Sequence, residues 1–209
     1  VSSRSSLVKR VLPDPDDDAN TRVAMLRELA VATGARGMCG GQALDLAATG
    51  KKKKGGQSHF SGEGVESIRD RDPKNDSDPL FSLTDLERLH ALKTGALLRA
   101  AVRLGAIAAG AGAEAADLER LDTFADALGL AFQIRDDLLD VEGDSATLGK
   151  TAGKDAAQAK ATFPARLGVD ASRRRLDALA EAMRDALAPL GPRADALAAL
   201  GRQAIERSH

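Results

Sequence analysis

Gln133, Asp136, Asp137 and Asp140 stand three, one and three residues apart in the stretch Phe132–Lys154, FQIRDDLLDVEGDSATLGKTAGK. On a helix turning ~100° per residue, these four side chains fall within an arc of ~100° on one face. Carboxylates so close repel one another and weaken the helix that carries them. A hard cation relieves that repulsion, because Mg²⁺ takes carboxylate oxygens and shares them with phosphate. Lys150 and Lys154 follow shortly, and ammonium groups suit phosphate oxygens. The pattern therefore suggests a carboxylate-held metal gripping a phosphate. A plain solvated acidic face is the competing reading.

Helices must position these residues. Alanine and leucine are abundant and β-branched residues sparse, which favours an all-α fold. The 209 residues suffice for one sizeable domain. A net charge of −1 gives no global attraction to nucleic acid or an anionic membrane. Tyr and Trp are absent, so a base-stacking platform is not expected. A single cysteine, Cys39, rules out a disulfide framework and a thiolate zinc site. The longest apolar runs, such as Gly105–Ala113, are too short to span a bilayer. No signal peptide is visible, and a cytoplasmic location is expected.

Residues 1–10 read as a disordered start. Asp14–Asp18 is flanked by Pro13 and interrupted by Pro15, so it reads as a turn in which Asp17 or Asp18 caps the next helix. Thr21–Leu46 is helical by pattern, with Val23, Leu26, Leu29 and Ala30 at helical spacing. Gly34, Gly37, Gly40 and Gly41 within it imply close packing, a kink, or room for a bulky apolar substrate. Gln42 and Asp45 share a face beside those glycines. Residues 51–79 open with four lysines, Lys51–Lys54, and read as a flexible insertion loop. Ser82–Ala109 is the next helix, with Ser82 and Asp85 set for a capping box. Its buried side is expected at Leu86, Leu89, Leu97, Ala100, Leu104 and Ile107. His90, Lys93, Thr94 and Leu97 lie on a neighbouring strip. Ala115–Val141 carries the acidic cluster, with Leu118, Leu121, Leu128, Phe132 and Leu139 as its core stripe and Gly143–Ser145 as its stop. Pro164 should end or kink a helix at Thr162. Ser172–Leu187 and Arg193–Arg207 are amphipathic helices split by Pro189 and Pro192.

Several of these segments carry a resemblance. Gly37–Leu46 (GMCGGQALDL), His90–Gly95 (HALKTG), Phe132–Asp140 (FQIRDDLLD), Gly143–Lys150 (GDSATLGK) and Thr162–Gly168 (TFPARLG) resemble, in the same order, motifs of the polyprenyl synthases. These are trans-prenyltransferases, here of the bacterial farnesyl diphosphate synthase type. The resemblance implies an all-α helical bundle of isoprenoid synthase type. It implies a prenyltransferase that joins isopentenyl diphosphate to an allylic diphosphate, with Mg²⁺ as cofactor. By the same resemblance Asp136, Asp137 and Asp140 bind the metal. Gln42, Lys93, Lys150 and Lys154 bind substrate diphosphate, and Lys93, Thr94 and Gln133 serve the reacting centre. Asp45 and His90 are left as structural residues, and a homodimer is implied. The family's first aspartate-rich motif has no counterpart here, so the chain is expected to be a partial synthase domain with its N-terminal helices missing. One alternative is a non-catalytic helical subunit, or pseudo-enzyme, that partners a complete synthase. Another is a phosphate- or nucleic-acid-binding module using Lys51–Lys54.

Overall fold

The computed structural model describes residues 18–48, 82–109, 115–147 and 162–208, and no strand occurs among them. Asp18 starts helix α1 (Ala19–Thr33), accepting the Asn20 and Thr21 backbone N–H groups at 2.8 and 3.1 Å. The single helix expected over Thr21–Leu46 is instead two. A turn at Gly34–Gly37 separates α1 from α2 (Met38–Ala48). The reason is local crowding: a Cβ on Gly37 would lie 2.1 Å from the Ala32 carbonyl oxygen, and one on Gly40 2.0 Å from that of Ala35. These two glycines serve a tight turn; they do not clear space for a substrate.

Ser82 opens α3 (Leu83–His90) with the expected capping box, each partner closing on the other's backbone. The helix expected to run on to Ala109 is interrupted. Over Ala91–Gly95 it widens into a π-helical turn before α4 (Ala96–Ala108) resumes. Helix α5 (Ala115–Thr147) passes the expected stop at Gly143, and its 33 residues make it about 50 Å long. Pro164 stands at the start of a helix: Thr162 caps the short α6 (Phe163–Leu167), where a missing proline N–H costs nothing, and a helix ending before Thr162 would lie outside the described residues. Gly168, at φ 83°, turns the chain into α7 (Val169–Leu187). The prolines at 189 and 192 fall in a 3₁₀ turn, Ala188–Ala194, where Gly191 takes φ 58°, and α8 (Asp195–Glu206) closes the described chain.

The core lies where α5 meets α6, α7 and α8. Phe124, Ala131, Ile134, Leu138 and Phe163 are all 0% exposed and pack with Leu176, Leu179 and Met183. The buried stripe of α5 thus runs Phe124, Ala127, Ala131, Ile134, Leu138. The expected stripe of Leu118, Leu121, Leu128, Phe132 and Leu139 is only partly buried. The difference is a rotation of the helix, set by the partner it packs on. Helix α1 differs likewise: Met25 and Ala32 face inward, while Val23 and Leu26 are 64% and 52% exposed. On α3 and α4 the expected Leu86, Leu89, Ala100 and Leu104 are buried, and Leu97 and Ile107 partly so.

Candidate functional site

Four of the expected site residues, Lys93, Thr94, Gln133 and Asp136, meet where the π turn crosses α2 and α5. The crossing depends on glycine. A Cβ on Gly41 of α2 would lie 2.2 Å from the Lys93 backbone nitrogen. One on Gly129 of α5 would lie 2.8 Å from the Gly95 Cα. The π turn is therefore held between two helices that approach it as close as backbones can. That contact fixes Lys93 and Thr94 between Asp45 and Gln133.

Lys93 Nζ donates to Asp45 Oδ2 at 2.7 Å, with the two side chains 36% and 31% exposed. The pair is open enough for an incoming anion to reach the ammonium. On the other side, Thr94 Oγ1 donates to Gln133 Oε1 at 3.3 Å, and Gln133 Nε2 donates to Asp136 Oδ2 at 3.3 Å. A hydroxyl, an amide and a carboxylate so form one hydrogen-bonded line across two elements, which orients the Gln133 amide oxygen toward Thr94. Gln42 is exposed on α2. Asp140 is exposed one turn beyond Asp136. Asp137 accepts the Phe163 backbone N–H at 2.9 Å, fastening α6 to α5. Lys150, Lys154 and Lys51–Lys54 lie outside the described residues, as do residues 1–10 and the 51–79 loop.

Two residues gain a role that the spacing did not reveal. Arg207, just past α8, donates to Asp136 Oδ1 and, at 3.0 Å, to the Phe132 carbonyl. Nothing in RSH after an amphipathic helix signals such a contact. His90 stacks on Phe163, ring centroids 5.7 Å apart, and its two ring nitrogens are buried without a hydrogen-bond partner. Burial lowers its pKa from the ordinary 6.5, so the ring is held neutral. The Gln133 side chain and two carboxylates oppose that shift without reversing it. His90 therefore supports the Gln133 end of the line as a packed ring.

A second polar cluster joins α1, α4 and α5. Asp122 accepts from Arg99 Nη2 at 2.7 Å and from Arg103 Nη2 at 2.6 Å, and Arg103 reaches Glu28 at 3.0 Å. The Arg103 guanidinium holds the Asp122 carboxyl below its ordinary value. Beside it a cleft of about 660 Å³ opens between α1, α4 and α5, bordered by Arg36, Arg88 and Leu92.

The fit of Mg²⁺ can be judged from Asp136. Its side chain is 41% exposed and already carries a cationic partner in Arg207, so this position attracts positive charge. Asp140, one turn on, supplies a second exposed carboxylate. Among the described residues no three His, Cys, Asp or Glu side chains come together as a metal-holding group. One or two carboxylates completed by phosphate oxygens and water is an ordinary Mg²⁺ set. The residues fit the ion on that basis.

Comparison with known proteins gives the following. The Polyprenyl synthetase family model matches residues 21–189. The chain is 42% identical over 197 residues to the farnesyl diphosphate synthase of Escherichia coli K12, covering 93% of this chain and 56% of that protein. It is 35% identical over 161 residues to the farnesyl diphosphate synthase of Haemophilus influenzae, covering 77% of this chain and 45% of that one. It thus spans about half the length of these relatives. Among solved structures it resembles an FPP/GFPP synthase from Zymomonas mobilis, at 32% identity and a TM-score of 0.63, covering 90% of this chain and 52% of that one. It also resembles a geranyltransferase from Legionella pneumophila, at 25% identity and a TM-score of 0.63, covering 97% and 55%. No described helix is long and apolar enough to cross a membrane.

Proposed function

The chain belongs to the polyprenyl synthetase family, and from that premise we propose that it carries part of the catalytic machinery of a prenyltransferase. The reaction is the joining of isopentenyl diphosphate to an allylic diphosphate. A carbon–oxygen bond to diphosphate breaks, a carbon–carbon bond forms, and a proton is lost.

Asp136 and Asp140 would hold Mg²⁺, with Asp137 in support behind them through its bond to Phe163. The ion, when bound, neutralises the charge that develops on the departing diphosphate. The remaining work belongs to the chain's own groups. Lys93 donates to a diphosphate oxygen, exchanging Asp45 for the incoming anion as a partner. Gln42 lies on the exposed face of α2 and contributes to the same diphosphate. Thr94 and Gln133 keep a hydroxyl and an amide fixed beside the reacting carbon, where a preset dipole needs no reorganisation. Lys150 belongs to the same diphosphate set by family resemblance, and Lys154, four residues on, by the charge of its ammonium group. The non-catalytic subunit is not favoured, since both relatives named above are enzymes. The same proposal includes a cytoplasmic homodimer, whose assembly sedimentation checks.

The observation that carries this reading is the line Thr94–Gln133–Asp136, which links two of the motifs through hydrogen bonds. Its test is Asp136→Ala in a chain extended to the relatives' full length. Mass spectrometry of prenyl diphosphates made from C5 substrates should show turnover reduced by about a hundredfold or more, with little change in thermal stability. Near-normal turnover in that variant overturns the metal assignment.

A further inference from the structure

Arg207 is fastened to three residues of α5, Phe132, Arg135 and Asp136. Its guanidinium donates to Asp136 and to the Phe132 carbonyl. The guanidinium carbon sits 3.9 Å from the centre of the Phe132 ring. Its own carbonyl accepts from Arg135 Nε at 2.8 Å. A planar cation stacked on a ring, with its Nη2 donating to two acceptors, is an unusually well-defined arrangement for so long a side chain. It is also incomplete, because Nε is buried and has no partner.

We propose that Arg207 is the resident counter-ion of Asp136, held there while no divalent cation is bound and displaced when one arrives. The inference rests on reading Asp136 as a metal ligand. The guanidinium is bonded directly to Asp136 Oδ1, and a divalent ion on that oxygen would stand within a few ångströms of it. Two cations at that separation repel, so the two occupants exclude each other. The arrangement has a clear benefit for the empty protein. Asp136, Asp137 and Asp140 share one stretch of α5, and their mutual repulsion would loosen it. Asp137 is relieved by the Phe163 N–H and Asp136 by Arg207. The carboxylates thus stay in place on a formed helix before any metal binds.

Two consequences can be measured. First, a site occupied by Arg207 shows a weakened apparent metal affinity, reduced by the fraction of time the oxygen is free. Second, metal binding must loosen the segment at 207–208, whose Arg207 N–H is bonded to the Gln203 carbonyl at 3.1 Å.

The experiment titrates Mg²⁺ with pyrophosphate into the whole chain by calorimetry, alongside Arg207→Ala and Arg207→Lys. Arg207→Ala should tighten uptake about tenfold, the worth of one charge-assisted hydrogen bond, and Arg207→Lys should fall between it and the parent. Unchanged or weaker uptake in Arg207→Ala overturns the proposal. Hydrogen exchange supplies the second readout. Mg²⁺ with pyrophosphate should speed exchange at 207–208 in the parent, and Asp136→Ala should do so without metal. If the parent takes up the ion while that segment keeps its protection, the proposal alone fails. If no protein takes up the ion, the metal reading of Asp136 fails and the proposal falls with it.

Discussion

Along α5, Phe124, Ala127, Ala131, Ile134 and Leu138 recur at alternating three and four residues on the side that packs against α6 and α7. Asp122, Asp126, Gly129, Gln133, Asp136 and Asp140 recur in the same rhythm on another side, toward α4 and the π turn. The two seams use one geometry for opposite ends. The apolar seam is held by area alone, so its members tolerate exchange of shape but not loss of volume. In the polar seam nearly every group is specified by particular partners: Asp122 by two arginines, Gly129 by Gly95, Gln133 by Thr94 and Asp136, Asp136 by Arg207. Losing the first kind should undo the fold, and losing the second kind should undo the site.

The largest effect expected is at Phe124→Ala, where a ring with no exposed surface is removed from the middle of the core. Urea unfolding should show a loss of about 3–5 kcal/mol. A loss under about 1 kcal/mol would mean that the apolar seam does not hold α5 after all.

Next is Gly41→Ala, which tests whether the polar seam depends on backbone contact. The added carbon falls 2.2 Å from the Lys93 nitrogen, so α2 and the π turn must move apart. Overpacking of this kind costs about 1–3 kcal/mol. It should also shift Lys93 from Asp45 and weaken pyrophosphate uptake, read in the same calorimeter. Gly105→Ala is the control: a Cβ there meets nothing within 4 Å, and the exchange should be neutral or slightly stabilising.

The smallest effect is at Asp122→Asn, which leaves two guanidinium groups sharing a weaker acceptor and should cost about 1–2 kcal/mol at neutral pH. The pH dependence gives a sharper signature. Arg103 holds the folded carboxyl below its ordinary 3.8, so the unfolded chain takes up the proton first. The stabilisation is complete above 3.8 and drains away as pH falls through the lowered folded value. Melting curves of Asp122→Asn should therefore lose part of the parent's acid slope in that window. Asp126 is shifted upward by burial, so Asp126→Asn should show the opposite sign, faintly, because that side chain is 60% exposed.

Much of this was legible in the residues themselves. Asp18 and the Ser82–Asp85 pair announced their caps, because a short polar side chain before an apolar run has few better uses. The motifs named Lys93, Thr94, Gln133 and Asp136 as neighbours, and the structure brings them to one crossing. What escaped was phase and distance. The acidic cluster drew the core stripe of α5 toward Phe132, although the run from Phe124 to Leu138 fits a three-four rhythm better. Ala91–Gly95 contains no proline, and Lys93, Thr94 and Gly95 also occur in plain helices, so nothing local told a π turn from a regular one. The Arg207–Asp136 contact joins residues 71 positions apart, and only the packing of α8 on α5 creates it.

The widened turn at Ala91–Gly95 has a further consequence for the helix as a whole. It inserts one residue into the spiral and so rotates everything after it by roughly 100° relative to everything before it. Upstream, Leu86 and Leu89 point into the core; downstream, Arg99 and Arg103 point at Asp122. A regular helix of the same sequence would keep either alignment and lose the other. The insertion acts as a gearing between two neighbours whose demands are out of step, and the residues that ride on it are Lys93 and Thr94.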